Sequence, residues 1–246
     1  MDLALLSALN TERAARRACV LVTDTASGQQ RLVKGIDIAA DPMADVLEAA
    51  LRSGKSGTVE AGGKTWFLTV QAPPVRLFVI GAVHVSQALA PMARVAGFDM
   101  TVIDPRTAFA TPERFADVKL LAEWPQDVLP GLKLDRYTGI ACFTHDPKID
   151  DPALEEALAA ECFYIGALGS RKTHGRRIER LHAKGFTPEQ TARIHAPIGM
   201  DIGAVSPAEI AVSVLAEIIL SLRKKPLRVD TAKAPDSAGA KAGAAA

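Results

Sequence analysis

The stretch that decides the fold is Arg76-Leu-Phe-Val-Ile-Gly81-Ala-Val83-His84-Val-Ser86-Gln87. A short apolar run ends at Gly81, and a helical pattern follows at once, which predicts a buried strand that turns sharply into a helix. That architecture presents free backbone N–H groups to an anion such as a phosphate. A dinucleotide-binding turn needs a second glycine where this chain has Val83, and a third small residue where it has Ser86. The stretch therefore predicts the fold more clearly than the ligand.

Apolar runs alternate with helical patterns from residue 76 to residue 223, which predicts a Rossmann-like, doubly wound α/β domain. The runs are short and nearly continuous, as in parallel strands covered by helices on both faces. The predicted strands are Leu77–Ile80, Met100–Ile103, Val118–Leu121, Gly139–Thr144 and Phe163–Ile165. The predicted helices are Val85–Ala96, Pro152–Ala160, Arg171–Lys184 and Pro207–Leu222. Two segments, Thr187-Pro-Glu-Gln190 and Ser206-Pro-Ala-Glu209, have capping-box order, so we interpret Glu209 as structural.

Residues 1–72 predict a small α+β domain. A helix is expected to begin at Asp41-Pro42, and Gly62-Gly63 is expected to join two strands in a hairpin. Residues 73–75 contain two prolines and are interpreted as a linker. The low-complexity residues 224–246 are predicted to be disordered.

Composition excludes several classes of protein. The 246 residues are 48% hydrophobic and 23% charged, with a formal net charge of +1, so nucleic acid or an anionic membrane is not expected as a partner. No apolar run approaches the ~20 residues that span a bilayer, and the N-terminus lacks a basic leader. We expect a cytoplasmic protein.

The three cysteines, Cys19, Cys142 and Cys162, are odd in number and far apart. This pattern argues against a disulfide framework and a structural zinc site. Each lies in or beside an apolar run, so we interpret them as core residues and predict no nucleophile.

Ligands of a doubly wound sheet bind beyond the carboxyl ends of the strands. Asp104 follows Gly81 by 23 residues, where a dinucleotide enzyme would bind a ribose hydroxyl. The neighbouring Arg106 could neutralise a phosphate instead. The candidate ligand-binding residues are Gly81, His84, Asp104, Arg106, His145, Gly166, Gly169, Ser170, Arg171, Lys172, His195, Gly199 and Asp201. No catalytic residue and no metal ligand are assigned.

The segment Gly166–Lys172 predicts a second anion site. Its glycines flank a turn after a strand, and Ser170 is suited to cap the next helix. Arg171 and Lys172 then fall in the first turn, where the helix dipole disfavours cations by several tenths of a kcal/mol, which an anionic ligand would offset. The basic stripe that continues to Arg180 is interpreted as a solvated face.

Three histidines, His84, His145 and His195, are expected at the same edge of the sheet. No closely spaced His or carboxylate pair accompanies them, so we expect polar contact or proton transfer rather than metal binding. His174 and His182 are interpreted as surface residues. The segment from His195 to Gly203 is either a packed crossing loop or a rigid wall for a planar ligand.

Six segments resemble the XdhC/CoxI family of accessory proteins for molybdenum hydroxylases. They are Val79-Ile-Gly-Ala-Val-His-Val, Val102-Ile-Asp-Pro-Arg, Phe143-Thr-His-Asp, Tyr164-Ile-Gly-Ala-Leu-Gly-Ser-Arg-Lys-Thr-His, Arg193-Ile-His-Ala-Pro-Ile-Gly and Ile202-Gly-Ala-Val-Ser-Pro-Ala-Glu-Ile-Ala. The resemblance implies a Rossmann-like domain that binds the molybdenum cofactor (molybdopterin). It also implies help in cofactor sulfuration, insertion into an apo molybdenum hydroxylase, a homodimer and transient contact with a cysteine desulfurase.

Two features depart from the family pattern. The Gly-Gly-Cys loop common in longer members is missing from residues 1–72, and Val83 replaces the second glycine of the first turn. We therefore weigh a cofactor-binding chaperone without turnover of its own, of the xanthine dehydrogenase accessory type, against an NAD(P)-dependent oxidoreductase. Val83 counts against the oxidoreductase, and a cysteine-based sulfurtransferase lacks an exposed thiol.

Overall fold

The computed structural model describes residues 2–224. Their contacts group them into two compact units that divide between Ala72 and Pro73. The segment predicted to be disordered, residues 224–246, lies outside the described residues except for Lys224, which ends the last helix. In the described part of the chain, no helix is both long enough and apolar enough to cross a bilayer.

The first unit contains a four-stranded antiparallel sheet in the order β2-β1-β4-β3. Its elements are α1 (Leu3–Ala14), β1 (Cys19–Asp24), β2 (Gln30–Lys34), a 3-10 helix (Gly35–Ala40), α2 (Ala44–Ser53), β3 (Gly57–Ala61) and β4 (Lys64–Gln71). The predicted hairpin is confirmed, because Gly62 and Gly63 both have positive φ and join β3 to β4. This unit has an apolar core of its own, in which Leu47 of α2 packs with Val20 and Leu68 of the sheet.

The helix start expected at Asp41-Pro42 is wrong by two to three residues. Helix α2 begins at Ala44 with Met43 as its N-terminal flanking residue. The Asp41 carboxylate instead accepts hydrogen bonds from the Arg31 guanidinium and from the Met43 backbone N–H. The Asp41 carboxylate, which the local sequence predicts to cap the helix, therefore forms an ion pair with Arg31 of β2.

The second unit has a six-stranded parallel sheet, so the predicted Rossmann-like α/β class is confirmed. Its elements are β5 (Arg76–Ile80), α3 (His84–Val95), β6 (Asp99–Ile103), β7 (Lys119–Leu121), α4 (Pro125–Leu132), β8 (Thr138–Cys142), α5 (Pro147–Ala159), β9 (Tyr164–Ala167), α6 (Arg171–Ala183), α7 (Pro188–Thr191), β10 (Ile194–His195) and α8 (Pro207–Lys224). The strand order is β10-β9-β8-β5-β6-β7.

Several elements of this unit differ from the prediction. Helix α4 and the two-residue strand β10 were not expected. Helix α5 begins at Pro147 rather than at Pro152, because the Asp146 side chain accepts from the Lys148 N–H and proline suits the first helical position. Both predicted capping boxes are confirmed, and Glu209 accepts from the Ser206 N–H at 2.9 Å.

Helices cover both faces of the parallel sheet. Helices α3 and α8 pack on one face, where Leu89 and Ile218 share a core with Val79 of the sheet. Helices α4, α5 and α6 cover the opposite face, where Leu154 and Leu181 are buried. Strand β5 pairs with β6 on one side and β8 on the other, so the order of the chain reverses there. Ligand sites of such sheets lie at the carboxyl ends of the strands where this reversal occurs.

Candidate functional site

The turn after β5 depends on Gly81, which no other residue can replace without backbone strain. Gly81 has φ of +113°, a conformation that residues with side chains rarely adopt. A Cβ atom at this position would lie 2.8 Å from Cγ2 of Thr144, in the loop after β8. The two loops that flank the reversal of strand order therefore pack directly against each other.

Helix α3 begins at this turn without a side-chain cap. Its flanking residue is Val83, which has extended backbone and packs its half-buried side chain against the core. The buried Ser86 hydroxyl donates to the Gly81 carbonyl instead of capping the helix. The exposed His84 is the first helical residue. The N–H groups of a first turn have no partner within the helix, so this end of α3 can accept an anion.

Asp104, predicted to contact the ligand, is fully buried. Its carboxylate accepts hydrogen bonds from Nε and Nη2 of Arg106 at 2.9 and 2.7 Å, and from the Ala82 N–H at 2.7 Å. Burial would raise the pKa of Asp104, but these hydrogen bonds outweigh burial and hold the pKa below its ordinary value. Arg106 is partly exposed, and its guanidinium lies 4.7 Å from the Phe109 ring centre. Asp104 therefore orients Arg106 toward the reversal point.

The loop after β8 is organised by a buried carboxylate that sequence reasoning did not select. Asp150 of α5 accepts from the Thr144 hydroxyl at 2.7 Å and from the His145 N–H at 3.1 Å. Burial raises the pKa of Asp150. His145 is exposed and has φ of +62°, a conformation uncommon for residues other than glycine. The loop thus fixes the backbone that carries the exposed His145 side chain.

The turn after β9 differs in part from the prediction. Gly166 lies inside β9 and is buried, and a Cβ there would be 2.6 Å from Cδ1 of Ile198. It is a packing residue and not part of the turn. Gly169, with φ of +139°, makes the turn, and the Ser170 hydroxyl caps α6 by accepting from the Thr173 N–H at 3.2 Å. The predicted cap is therefore confirmed.

Arg171 and Lys172 are exposed in the first turn of α6. Their side chains lie at the carboxyl edge of the sheet, as expected. Because Ser170 already caps this helix and no side chain in the described part of the chain caps α3, the start of α3 has the greater unmet capacity for an anion.

His195 belongs to a separate cluster around Glu217 of α8. The Glu217 carboxylate accepts hydrogen bonds from His195 Nδ1 at 2.9 Å, the Tyr164 hydroxyl at 2.7 Å and the Gly199 N–H at 2.9 Å. Burial would raise the pKa of Glu217, but the bonds from His195, Tyr164 and Gly199 outweigh burial and lower the pKa. An ionised carboxylate can only accept, so Nδ1 of His195 carries its proton.

The segment that follows His195 packs closely against helix α8 at Gly199. Gly199 has φ of +93°, and a Cβ there would lie 2.3 Å from the Ser213 hydroxyl. Ile198 is buried, whereas Asp201 is exposed. The segment therefore has the packing of a crossing loop, and its exposed rim includes Met200 and Ile202 on either side of Asp201.

Residues 77–218 match the family model of the XdhC Rossmann domain. The chain belongs to the XdhC family.

Curated relatives of this XdhC-family chain include two proteins of Escherichia coli K12. The uncharacterized protein YqeB is 36% identical over 64% of this chain and 29% of its own length. The molybdenum cofactor insertion chaperone PaoD is 30% identical over 75% of this chain and 51% of its own length. The XdhC-family chain thus spans about half or less of these relatives. A solved structure described as a xanthine dehydrogenase from Bacillus halodurans aligns with a TM-score of 0.63 at 23% identity, covering 91% of this chain and 69% of that one, and supports the fold.

The three cysteines of the XdhC-family chain are buried, which confirms their interpretation as core residues. Burial raises the pKa of Cys19 to about 11 and that of Cys162 to about 12, and raises the pKa of Cys142 well above its ordinary value. Thiolates, not thiols, are nucleophiles. Sulfur transfer through one of these thiols would need a local opening of the structure.

The structure brings some of the predicted residues together and separates others. The turns after β5, β6 and β8 meet, through Gly81 against Thr144 and Ala82 bonded to Asp104. His195 is the last residue of β10, the edge strand of the sheet, and bonds to Glu217 of α8. Across residues 2–224, no group of three or more His, Cys, Asp or Glu is arranged to hold a metal ion.

Glu217 and Asp150 were missed because their roles depend on tertiary contacts. A signal for Glu217 existed: it is a carboxylate inside the apolar run Val214-Leu-Ala-Glu217-Ile-Ile-Leu. Carboxylates are rarely buried without partners.

Proposed function

We propose that this XdhC-family chain binds the molybdenum cofactor as cargo and promotes its insertion into an apo molybdenum hydroxylase. The observation that carries the proposal is the arrangement at the reversal of strand order. Helix α3 starts there without a cap, beside the partly exposed guanidinium of Arg106. The acid that a dinucleotide would need, Asp104, is already bonded to that guanidinium. The arrangement favours an anion over a ribose.

In this proposal the cofactor's phosphate lies at the start of α3, where N–H groups and the helix dipole favour negative charge. Arg106 adds a charge-assisted contact, and His84 and His145 offer polar contacts from the neighbouring turns. Arg171 and Lys172 at the start of α6 add positive charge along the same edge. The pterin ring lies against the segment from His195 to Gly203.

The relative PaoD, named as a molybdenum cofactor insertion chaperone, supports the proposal. The finer parts of the proposal rest on the family resemblance. They are promotion of cofactor sulfuration, contact with a cysteine desulfurase, a homodimer, action in the cytoplasm and the lack of turnover by the chain itself.

The test is to titrate the purified chain with molybdopterin by pterin fluorescence and to reconstitute an apo molybdenum hydroxylase. We expect roughly one pterin per chain and faster reconstitution. Arg171→Ala with Lys172→Ala should weaken binding, whereas Lys55→Ala with Lys119→Ala, two exposed lysines elsewhere, should not. No saturable pterin binding would reject the proposal.

An oxidoreductase would behave differently. NAD or NADP would raise its melting temperature, and Val83→Gly would enlarge the shift by admitting a pyrophosphate. We expect neither effect.

A further inference from the structure

Helix α8 is apolar on two opposite sides, of which one is buried. Its inner side, with Ala211, Val214 and Ile218, is buried in the core beneath the parallel sheet. Its outer side carries Val212, which is 47% exposed, and Ile219, which is 39% exposed. A surface helix usually has charged and polar residues opposite its core face, and a helix that is apolar all round is usually buried. The outer side of α8 therefore lacks the polar surface expected where a helix faces water.

The outer side of α8 has the spacing of a coiled-coil seam. Its residues recur at alternating steps of three and four, which places them on one stripe of the helix. They are Glu209, Val212, Ala216, Ile219 and Arg223. The two charged residues are exposed at the two ends of this outer stripe, and the half-buried alanine lies at its centre. A small central residue allows a second helix to approach closely.

The charges at the two ends of the outer stripe indicate which helix covers it. If two copies of α8 pack antiparallel about a two-fold axis near Ala216, Glu209 of each copy meets Arg223 of the other. In the same arrangement Val212 of each copy meets Ile219 of the other. Two parallel copies would instead place glutamate against glutamate and arginine against arginine, which is unfavourable. The outer stripe is therefore complementary to itself in the antiparallel orientation.

Glu209 can make this contact while it caps α8. The N–H groups of Val205 and Ser206 both donate to Oε2 of Glu209, at 2.7 and 2.9 Å. Its other oxygen, Oε1, can therefore accept a charge-assisted hydrogen bond from the guanidinium of Arg223 in a second copy. The capping box and the contact between copies use different oxygens of one carboxylate.

Helix α3 adds apolar surface beside the outer stripe. It packs against α8 on the same face of the sheet, and its Val95 is 88% exposed. Helix α8 has 18 residues, so its stripe covers an area of about 27 Å by about 10 Å. A stable interface buries about 800 Å² on each partner. The stripe alone is too small for that, so the outer residues of α3 are needed as well.

We propose that the chain forms a two-fold homodimer in which the outer stripe of α8 packs antiparallel against α8 of a second copy, with α3 at its flank. The inference rests on the proposed function only for the homodimer, whose surface the family resemblance does not specify. It does not depend on the cargo, because no residue of the outer stripe belongs to the candidate cofactor site.

Disulfide trapping of the full chain tests the antiparallel register. Position 216 meets its own copy at the axis, so Ala216→Cys should form a disulfide-linked dimer under mild oxidation. Val212→Cys alone should not, because its two copies lie about eight residues, or ~12 Å, apart along the helix, beyond the ~7 Å between Cα atoms that a disulfide bridges. An equimolar mixture of Val212→Cys and Ile219→Cys should link. The native thiols are buried, and Ala49→Cys, at an exposed alanine of α2, is the control that should stay unlinked.

Sedimentation velocity measures the association itself. The natural chain should be dimeric at some concentration between about 1 and 100 μM. Ala216→Arg places two like charges against each other at the axis and should weaken association about 100-fold. Arg223→Glu faces Glu209 of the second copy and should weaken association about tenfold. Ala49→Arg introduces the same charge elsewhere and should leave the dimer intact.

Three results would overturn the inference: a chain that is monomeric throughout this range, a dimer that survives Ala216→Arg, or cysteine variants that each link to themselves as parallel helices would. If Ala216→Arg does not fold, Arg223→Glu decides. A monomeric chain that loses reconstitution of an apo molybdenum hydroxylase on Ala216→Arg would assign the outer stripe to that enzyme and overturn the dimer. These measurements contain no pterin, so a dimer without pterin binding rejects the proposed cargo alone, and a monomer that binds pterin rejects this surface alone.

Discussion

The carboxylate of Asp104 holds the guanidinium of Arg106 through two hydrogen bonds of 2.9 and 2.7 Å, from within a fully buried position after β6. The same carboxylate accepts from the Ala82 N–H and so ties the β6 turn to the β5 turn. Asp104 thereby fixes both the backbone of the reversal point and the orientation of the Arg106 guanidinium.

Asp104→Ala should therefore destabilise the protein as well as release Arg106. It leaves a guanidinium and a backbone donor without their acceptor, and we expect the free energy of unfolding to fall by about 3 kcal/mol. Urea denaturation measures this change. Asp117→Ala removes an exposed partner of Arg94 and serves as the control, with an expected change below ~1 kcal/mol. Equal effects of the two substitutions would show that the buried pair is dispensable.

The contribution of Asp104 should depend on pH with a defined sign. Its pKa is lower in the folded chain than in the unfolded chain, because the bonds from Arg106 and Ala82 favour the ionised form. The stabilisation is therefore complete above the unfolded pKa of about 4, and it is lost as the pH falls from that value through the lower pKa of the folded chain. The difference in unfolding free energy between the natural chain and Asp104→Asn should narrow from pH 7 to pH 3. A difference that stays constant would contradict the assignment.

Gly81→Ala should be more damaging than the same change at a glycine with free space. Both Gly81 and Gly97 have positive φ, but a Cβ at Gly97 meets nothing within 4 Å. Strain alone predicts a loss of about 1–2 kcal/mol at Gly97, and the clash with Thr144 adds to it at Gly81. Adding Thr144→Ser removes the clashing methyl group while keeping the hydroxyl that Asp150 accepts from. The double variant should recover part of the loss in a thermodynamic cycle; no recovery would place the damage elsewhere.

Glu217 should hold the His195 segment in place. Glu217→Ala removes the acceptor of Tyr164, His195 and Gly199, and we expect a loss of about 3 kcal/mol. Tyr164→Phe removes one of those bonds and should cost about 1 kcal/mol. Hydrogen exchange of the Gly199 amide distinguishes the two, since it should accelerate in Glu217→Ala and stay close to the natural rate in Tyr164→Phe.

The three thiols should be inert in the folded chain. With Cys19, Cys142 and Cys162 buried and the pKa of each raised, a thiol reagent should label none of them within minutes. All three should react after unfolding in urea. Rapid labelling of one thiol under native conditions would contradict this prediction and would support a sulfur-transfer role for that cysteine.

Much of the site could be predicted from local sequence. Gly81 at the strand–helix turn, the Ser170 cap and both capping boxes depend on neighbours a few residues away, and each is confirmed. Gly166 was misassigned because its need for glycine comes from Ile198, which is distant in sequence. The bonds from Arg106 to the buried Asp104 could not be predicted, because the sequence does not show which cation a carboxylate will pair with.

The sequence by itself determined the Rossmann-like class and the turn at Gly81, because apolar periodicity and turn glycines act locally. Tertiary structure alone decided which charges remain available. It buried Asp104 against Arg106, joined Glu217 to His195 and, among residues 2–224, left two donor atoms of Arg177 without a hydrogen-bond partner. Such pairings depend on which side chains converge in three dimensions, and convergence is a property of packing rather than of spacing along the chain.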